Sequence, residues 1–127
     1  MFKKIVIIEK SKIIREGLAG ILYANEIGSK IICLEDFSEW NFLMRDIVPD
    51  MVILSPEMAH EGIEKLRSRY QLPDKVLFVG IVYQYYNFRE ITDIFDEVIF
   101  ITDSEDVLKN KLKNLLKESS LHATASI

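Results

Sequence analysis

The chain has 127 residues, 49% of them hydrophobic and 28% charged, with a net charge of −4. This is enough for one domain with a packed core, and twenty acidic against sixteen basic residues argue against a surface that coats nucleic acid or an anionic membrane unaided. A single cysteine, Cys33, excludes an internal disulfide and a multi-cysteine zinc site, and two histidines, His60 and His122, leave little for another metal. We expect no bound metal and no cofactor.

The longest apolar runs are about five residues, against the roughly 20 that a membrane-spanning helix needs. Met1-Phe2-Lys3-Lys4 leads straight into a strand-like segment without a signal-peptide core, so the expected compartment is the cytoplasm.

In chain order, residues 4–9 (KIVIIE) form a short β-branched run, too short for a helix and too evenly apolar for a strand with one wet face. Ser11 then reads as the N-cap of a helix whose apolar face carries Ile14, Leu18, Ile21 and Leu22. Residues 30–35 (KIICLE) are a second strand, and Cys33 inside it reads as a buried, inert thiol. Ser38 precedes a second helix with Leu43, Met44 and Ile47, ended by Pro49, and Trp40 on it reads as partial core. Residues 51–55 (MVILS) are the third strand. Ile63, Leu66 and Tyr70 share the face of a third helix that stops before Pro73.

Residues 75–82 (KVLFVGIV) are the fourth strand, Phe88, Ile91 and Phe95 the stripe of a fourth helix, and residues 97–101 (EVIFI) the fifth strand. Ser104 opens a last helix with Glu105 and Asp106 in its first turn, an apolar stripe through Leu112, Leu115 and Leu116, and Lys113 and Lys117 near its end. Residues 119–127 (SSLHATASI) show no periodicity and read as a linker or tail. Strict alternation of five strands and five helices predicts an α/β fold: a doubly wound, five-stranded parallel sheet in the order 2-1-3-4-5, flavodoxin-like, with helices on both faces.

Chemistry in such a sheet gathers beyond the carboxyl ends of the strands. The first strand is followed by Glu9-Lys10-Ser11-Lys12, so neither a dinucleotide fingerprint nor a P-loop is present. No nucleophile–base pair is legible, and we do not expect an enzyme. The run from Ile8 to Leu18 (IEKSKIIREGL), the run from Pro49 to Met58 (PDMVILSPEM) and the Gly62-Ile63-Glu64 helix start together resemble the receiver domains of bacterial two-component response regulators. The NarL/FixJ type, in which a LuxR-like helix-turn-helix follows, is the most similar. The resemblance spans about residues 2–118.

The resemblance implies a phosphorylation site, and each of its positions departs from the family pattern. The phosphoacceptor aspartate is Ser55, whose hydroxyl would form a stable ester rather than a high-energy acyl phosphate. The acidic pair that holds Mg²⁺ is Glu9-Lys10, one ligand lengthened and the other turned into a cation. The hydroxyl at the end of strand four is Gly80, the lysine at the end of strand five is Thr102, and the aromatic switch residue is Ile99. The resemblance therefore implies a pseudo-receiver that has lost aspartyl phosphorylation.

The remaining expectations concern contacts. Lys10 either fills the vacated metal position and neutralises Glu9 or is a solvated lysine. Tyr83, Tyr85 and Tyr86 fall where an output face would lie, and tyrosine suits interfaces because it joins apolar area to a hydrogen-bonding tip. His60 reads as loop surface. The expected arrangement is a receiver-like domain over residues 1–118, acting through a protein partner or as a homodimer. DNA would be reached only through an output domain beyond residue 127. A stand-alone adaptor for a kinase or receiver, and a small-molecule sensor, are the alternatives.

Overall fold

The structure, a computed structural model, describes residues 3–83 and 94–125, with side chains through residue 118. Strand β1 (Lys4–Ile8) leads to helix α1 (Lys12–Ala24), and β2 (Lys30–Leu34) to a 3₁₀ turn (Phe37–Glu39) and the short helix α2 (Trp40–Leu43). Strand β3 (Met51–Leu54) runs through a second 3₁₀ turn (Pro56–Ala59) into α3 (Ile63–Arg69). Strands β4 (Leu77–Val82) and β5 (Glu97–Phe100) follow, then a long helix, α4 (Glu105–Ala125). All four strand pairs are parallel and the sheet order is β2-β1-β3-β4-β5, as the alternation predicts.

Alternation along each strand divides the interior in two. Ile5 and Ile7 of β1, with Met51 and Ile53 of β3, pack against Leu18 and Leu22 of α1 and Leu108 and Leu112 of α4. Val6, Ile8, Val52 and Leu54 face the other way, toward Trp40, Ile63 and Leu66. β1 and β3 are buried over nearly their whole length, which is why their sequences are apolar without a polar alternate. The Ser11 hydroxyl accepts from the Ile14 N–H at 3.3 Å, and the Ser104 hydroxyl from the Val107 N–H at 3.2 Å, so both expected caps form. Ser11→Ala is expected to cost about 0.5–2 kcal/mol of stability, read as a lower midpoint in urea denaturation.

Three expectations need adjustment. The second helix is not a run from Ser38 to Pro49: Asp36 is the cap, α2 is a single turn, and Asp46 has a φ of 61°. The cause is aromatic. Phe37 and Trp40 both lie 5.0 Å from the Tyr70 ring, and residues three apart eclipse one another in a 3₁₀ turn, so this geometry brings both rings onto Tyr70, Phe37 stacked and Trp40 tilted. Trp40 is fully core rather than partly so, while Phe42 is 84% exposed. Secondly, Phe95 is buried, but from the turn before β5; Phe88 and Ile91 lie outside the described residues. Thirdly, the backbone of α4 stays helical through Ala125, across most of the segment expected to be a tail.

Candidate functional site at the carboxyl ends of the strands

A parallel sheet brings the ends of all its strands to one side. Ile8 pairs with Leu34 and Leu54, Leu54 with Gly80, and Gly80 with Val98. The next row outward therefore contains Glu9, Ser55, Ile81 and Ile99. Glu9 and Ser55 are the buried polar residues of the described chain, 3% and 4% exposed. The sequence points to both, and the sheet sets them in the same row.

Glu9 is held by its neighbours. Its Oε1 accepts from the Tyr83 hydroxyl and from the Ser11 N–H at 3.2 Å. Arg15 Nη1 donates to the Glu9 backbone carbonyl at 2.6 Å and to that of Lys10 at 3.4 Å. Glu9 Oε2 is buried without a hydrogen-bond partner among the described residues. Burial, and then the Glu9 carboxylate itself, push the Tyr83 phenol well above its ordinary ionisation range. Tyr83, expected at an interface, thus turns its hydroxyl inward while keeping part of its ring exposed. Tyr85 and Tyr86 lie outside the described residues.

The other positions are dispersed. Lys10 is exposed and makes none of the ion pairs found among the described residues. It lines a cleft of about 380 Å³ with Asp36, Phe37, Glu57, Met58 and His60. The Ser38 hydroxyl and N–H hold the Asp36 carboxyl below its usual range, and the Lys10 charge adds to this. Gly80 pairs with Leu54, one step short of the Ser55 row, and a Cβ there would meet the Phe95 ring at 2.8 Å. The bare α-carbon makes room for an aromatic ring. Ile99 is buried in the core, and Thr102 is exposed in the turn after β5. Cys33 is half-buried on an edge strand rather than fully enclosed, and burial raises its thiol's pKa.

The Mg²⁺ that the family resemblance implies finds a poor donor set. A divalent cation of that kind needs several oxygens converging on it. Here one oxygen of Glu9 is taken by Tyr83, the next residue is a lysine, and no three His, Cys, Asp or Glu side chains gather among the described residues. The residues present do not fit the ion.

One contact has no counterpart among the expectations from the sequence. Lys111 Nζ donates to Asp103 Oδ2 and to the Val98 carbonyl, each at 3.0 Å, and lies 5.0 Å from the centre of the Phe100 ring. Its position between Leu108 and Leu112, beside the buried stripe, was the available signal.

A doubly wound sheet in this order, with its polar residues at the strand ends, defines the architecture. Comparison with solved structures narrows it. The chain is similar to NtrX from Brucella abortus (TM-score 0.77, 20% identity), over 99% of this chain and 29% of that one. It is also similar to a response regulator receiver modulated diguanylate cyclase from Pelobacter carbinolicus (TM-score 0.71, 16% identity), over 97% and 99% of the two chains. A CheY-like receiver domain from Methylobacillus flagellatus matches with a TM-score of 0.68 at 13% identity, over 91% and 99%. The chain has the CheY-like receiver fold. No family sequence model and no curated protein matches it. No helix among the described residues is long and apolar enough to cross a membrane.

Proposed function

We propose that this chain is a receiver-like regulatory domain that works without aspartyl phosphorylation, as part of a two-component-type transcriptional regulator of the NarL/FixJ kind. It acts through protein contacts, including homodimerisation, and reaches DNA only through an output domain. The observation that carries this reading is that Ser55 falls in the same row as a Glu9 already engaged by Tyr83. The position from which an acyl phosphate would form has only a hydroxyl, and the carboxylate that would hold the metal is turned to a phenol instead.

Incubation with acetyl phosphate and Mg²⁺, followed by intact-mass analysis, tests the reading. The expected mass is unchanged, and beryllofluoride is expected to leave the amide NMR spectrum unchanged. A stoichiometric, hydroxylamine-labile phosphate would overturn it.

A further inference from the structure

A parallel sheet has two free edges, and this chain treats them differently. Along a strand, alternate residues turn both N–H and C=O toward the neighbour or away from it. On β5, Ile101 N–H bonds to Val82, so Val98 and Phe100 face outward. All four of their backbone groups are taken by the chain itself. Val98 N–H donates to Glu97 Oε1, Val98 C=O accepts from Lys111 Nζ, Phe100 N–H donates to Asp103 Oδ2, and Phe100 C=O accepts from the Asp103 N–H. That edge is closed.

The β2 edge is open at its centre. The Leu34 carbonyl accepts from Glu9 N–H, so Lys30, Ile32 and Leu34 face β1 while Ile31, Cys33 and Glu35 face outward. Glu35 N–H is taken by Glu39 Oε1 at 2.9 Å. The N–H and C=O of Ile31 and Cys33 have no partner among the described residues. Proteins commonly guard an edge with charge or proline along it, yet here Ile31, Ile32 and Cys33 are apolar and half-buried, with charge only at the two ends.

We infer that β2 is the dimer strand: two copies of this chain pair β2 to β2, antiparallel about a two-fold axis at Ile32, forming one continuous ten-stranded sheet. In this register Ile31 of each copy exchanges both backbone hydrogen bonds with Cys33 of the other, and Ile32 faces its own counterpart. The charges choose the direction and the partner. Lys30 begins the strand, and Glu35 and Asp36 follow directly on its end. Antiparallel self-pairing puts Lys30 on the same face as the other copy's Asp36, diagonally across, within reach of a lysine side chain. A parallel arrangement would set like charges opposite each other. The pairing uses the same patch on both copies and therefore closes, and the sealed β5 edges end the sheet there.

The inference rests on the homodimer part of the proposed function and is independent of the loss of phosphorylation. Sedimentation equilibrium of the full chain, alone and with substitutions in β2, tests it. The wild type is expected to be a dimer, and Ile32→Lys, which opposes two ammonium groups across the axis, is expected to be monomeric at the same concentration. Ile32→Cys in a Cys33→Ser background guards against a folding defect. The non-hydrogen-bonded pair on the axis has its α-carbons about 4.5 Å apart, within disulfide range, so oxidation is expected to give a covalent dimer. A dimer that survives Ile32→Lys and does not cross-link through position 32 overturns the β2 assignment but leaves homodimerisation intact. A monomeric wild type overturns both.

Discussion

Tyr83→Phe is expected to lower the unfolding free energy by about 1–3 kcal/mol, the usual cost of leaving a buried polar group short of a partner. Glu9 is 3% exposed, and its Oε2 already lacks a partner among the described residues. Removing the phenol would leave the carboxylate with the Ser11 N–H alone. The pH dependence carries a second signature. The Tyr83 pKa is raised in the folded state above a phenol's ordinary value of 10.0. The unfolded chain therefore gives up this proton first as pH rises. The associated stability is complete below about pH 10 and is lost as pH climbs from there toward the folded-state value. Wild-type urea midpoints measured at pH 8 and above pH 10 should diverge more than those of Tyr83→Phe. Equal divergence would mean that the Tyr83–Glu9 contact does not hold the strand ends together in solution.

Gly80→Thr, which places a hydroxyl residue near the end of strand four, is expected to destabilise the domain by about 1–3 kcal/mol through overpacking. The added Cβ would stand 2.8 Å from the Phe95 ring, and Phe95 is buried, so the ring has little room to withdraw. Thermal melts of Gly80→Thr, Phe95→Ala and the double variant form a cycle whose coupling should be favourable, because the smaller side chain makes room for the new methyl and hydroxyl groups. Additive effects would remove the steric explanation. The substitution is not expected to confer phosphorylation, since Gly80 lies beside Leu54 rather than in the Ser55 row.

These two sites also mark what could be read from the sequence. The five strands were legible because buried parallel strands leave evenly apolar runs, and the observed strands fall inside the expected ones. Ser11 and Ser104 were legible as caps because capping is a local interaction. The meeting of Glu9 and Ser55 in one row followed from topology, since every strand of a parallel sheet points the same way. The Tyr83–Glu9 contact joins residues far apart in sequence, and no local pattern announces it. The same is true of Phe95 against Gly80 and of Tyr70 against Phe37 and Trp40. In the last case the distant ring overrode the helical period of Leu43, Met44 and Ile47 and turned the chain early.

The most apolar strands, β1, β3 and β4, occupy the middle of the sheet. A ribosome releases β1 first, yet the strand that finally shields one of its flanks is β3, where Met51 stands beside Ile5. Until then KIVII is a short, sticky segment of high β-propensity, the kind that associates with copies of itself on neighbouring unfinished chains. Pairings between segments so far apart are slow to form, because a long loop must close before any contact rewards it. The arrangement that gives the finished sheet its dry centre thus makes the nascent chain vulnerable to aggregation until its third strand has emerged.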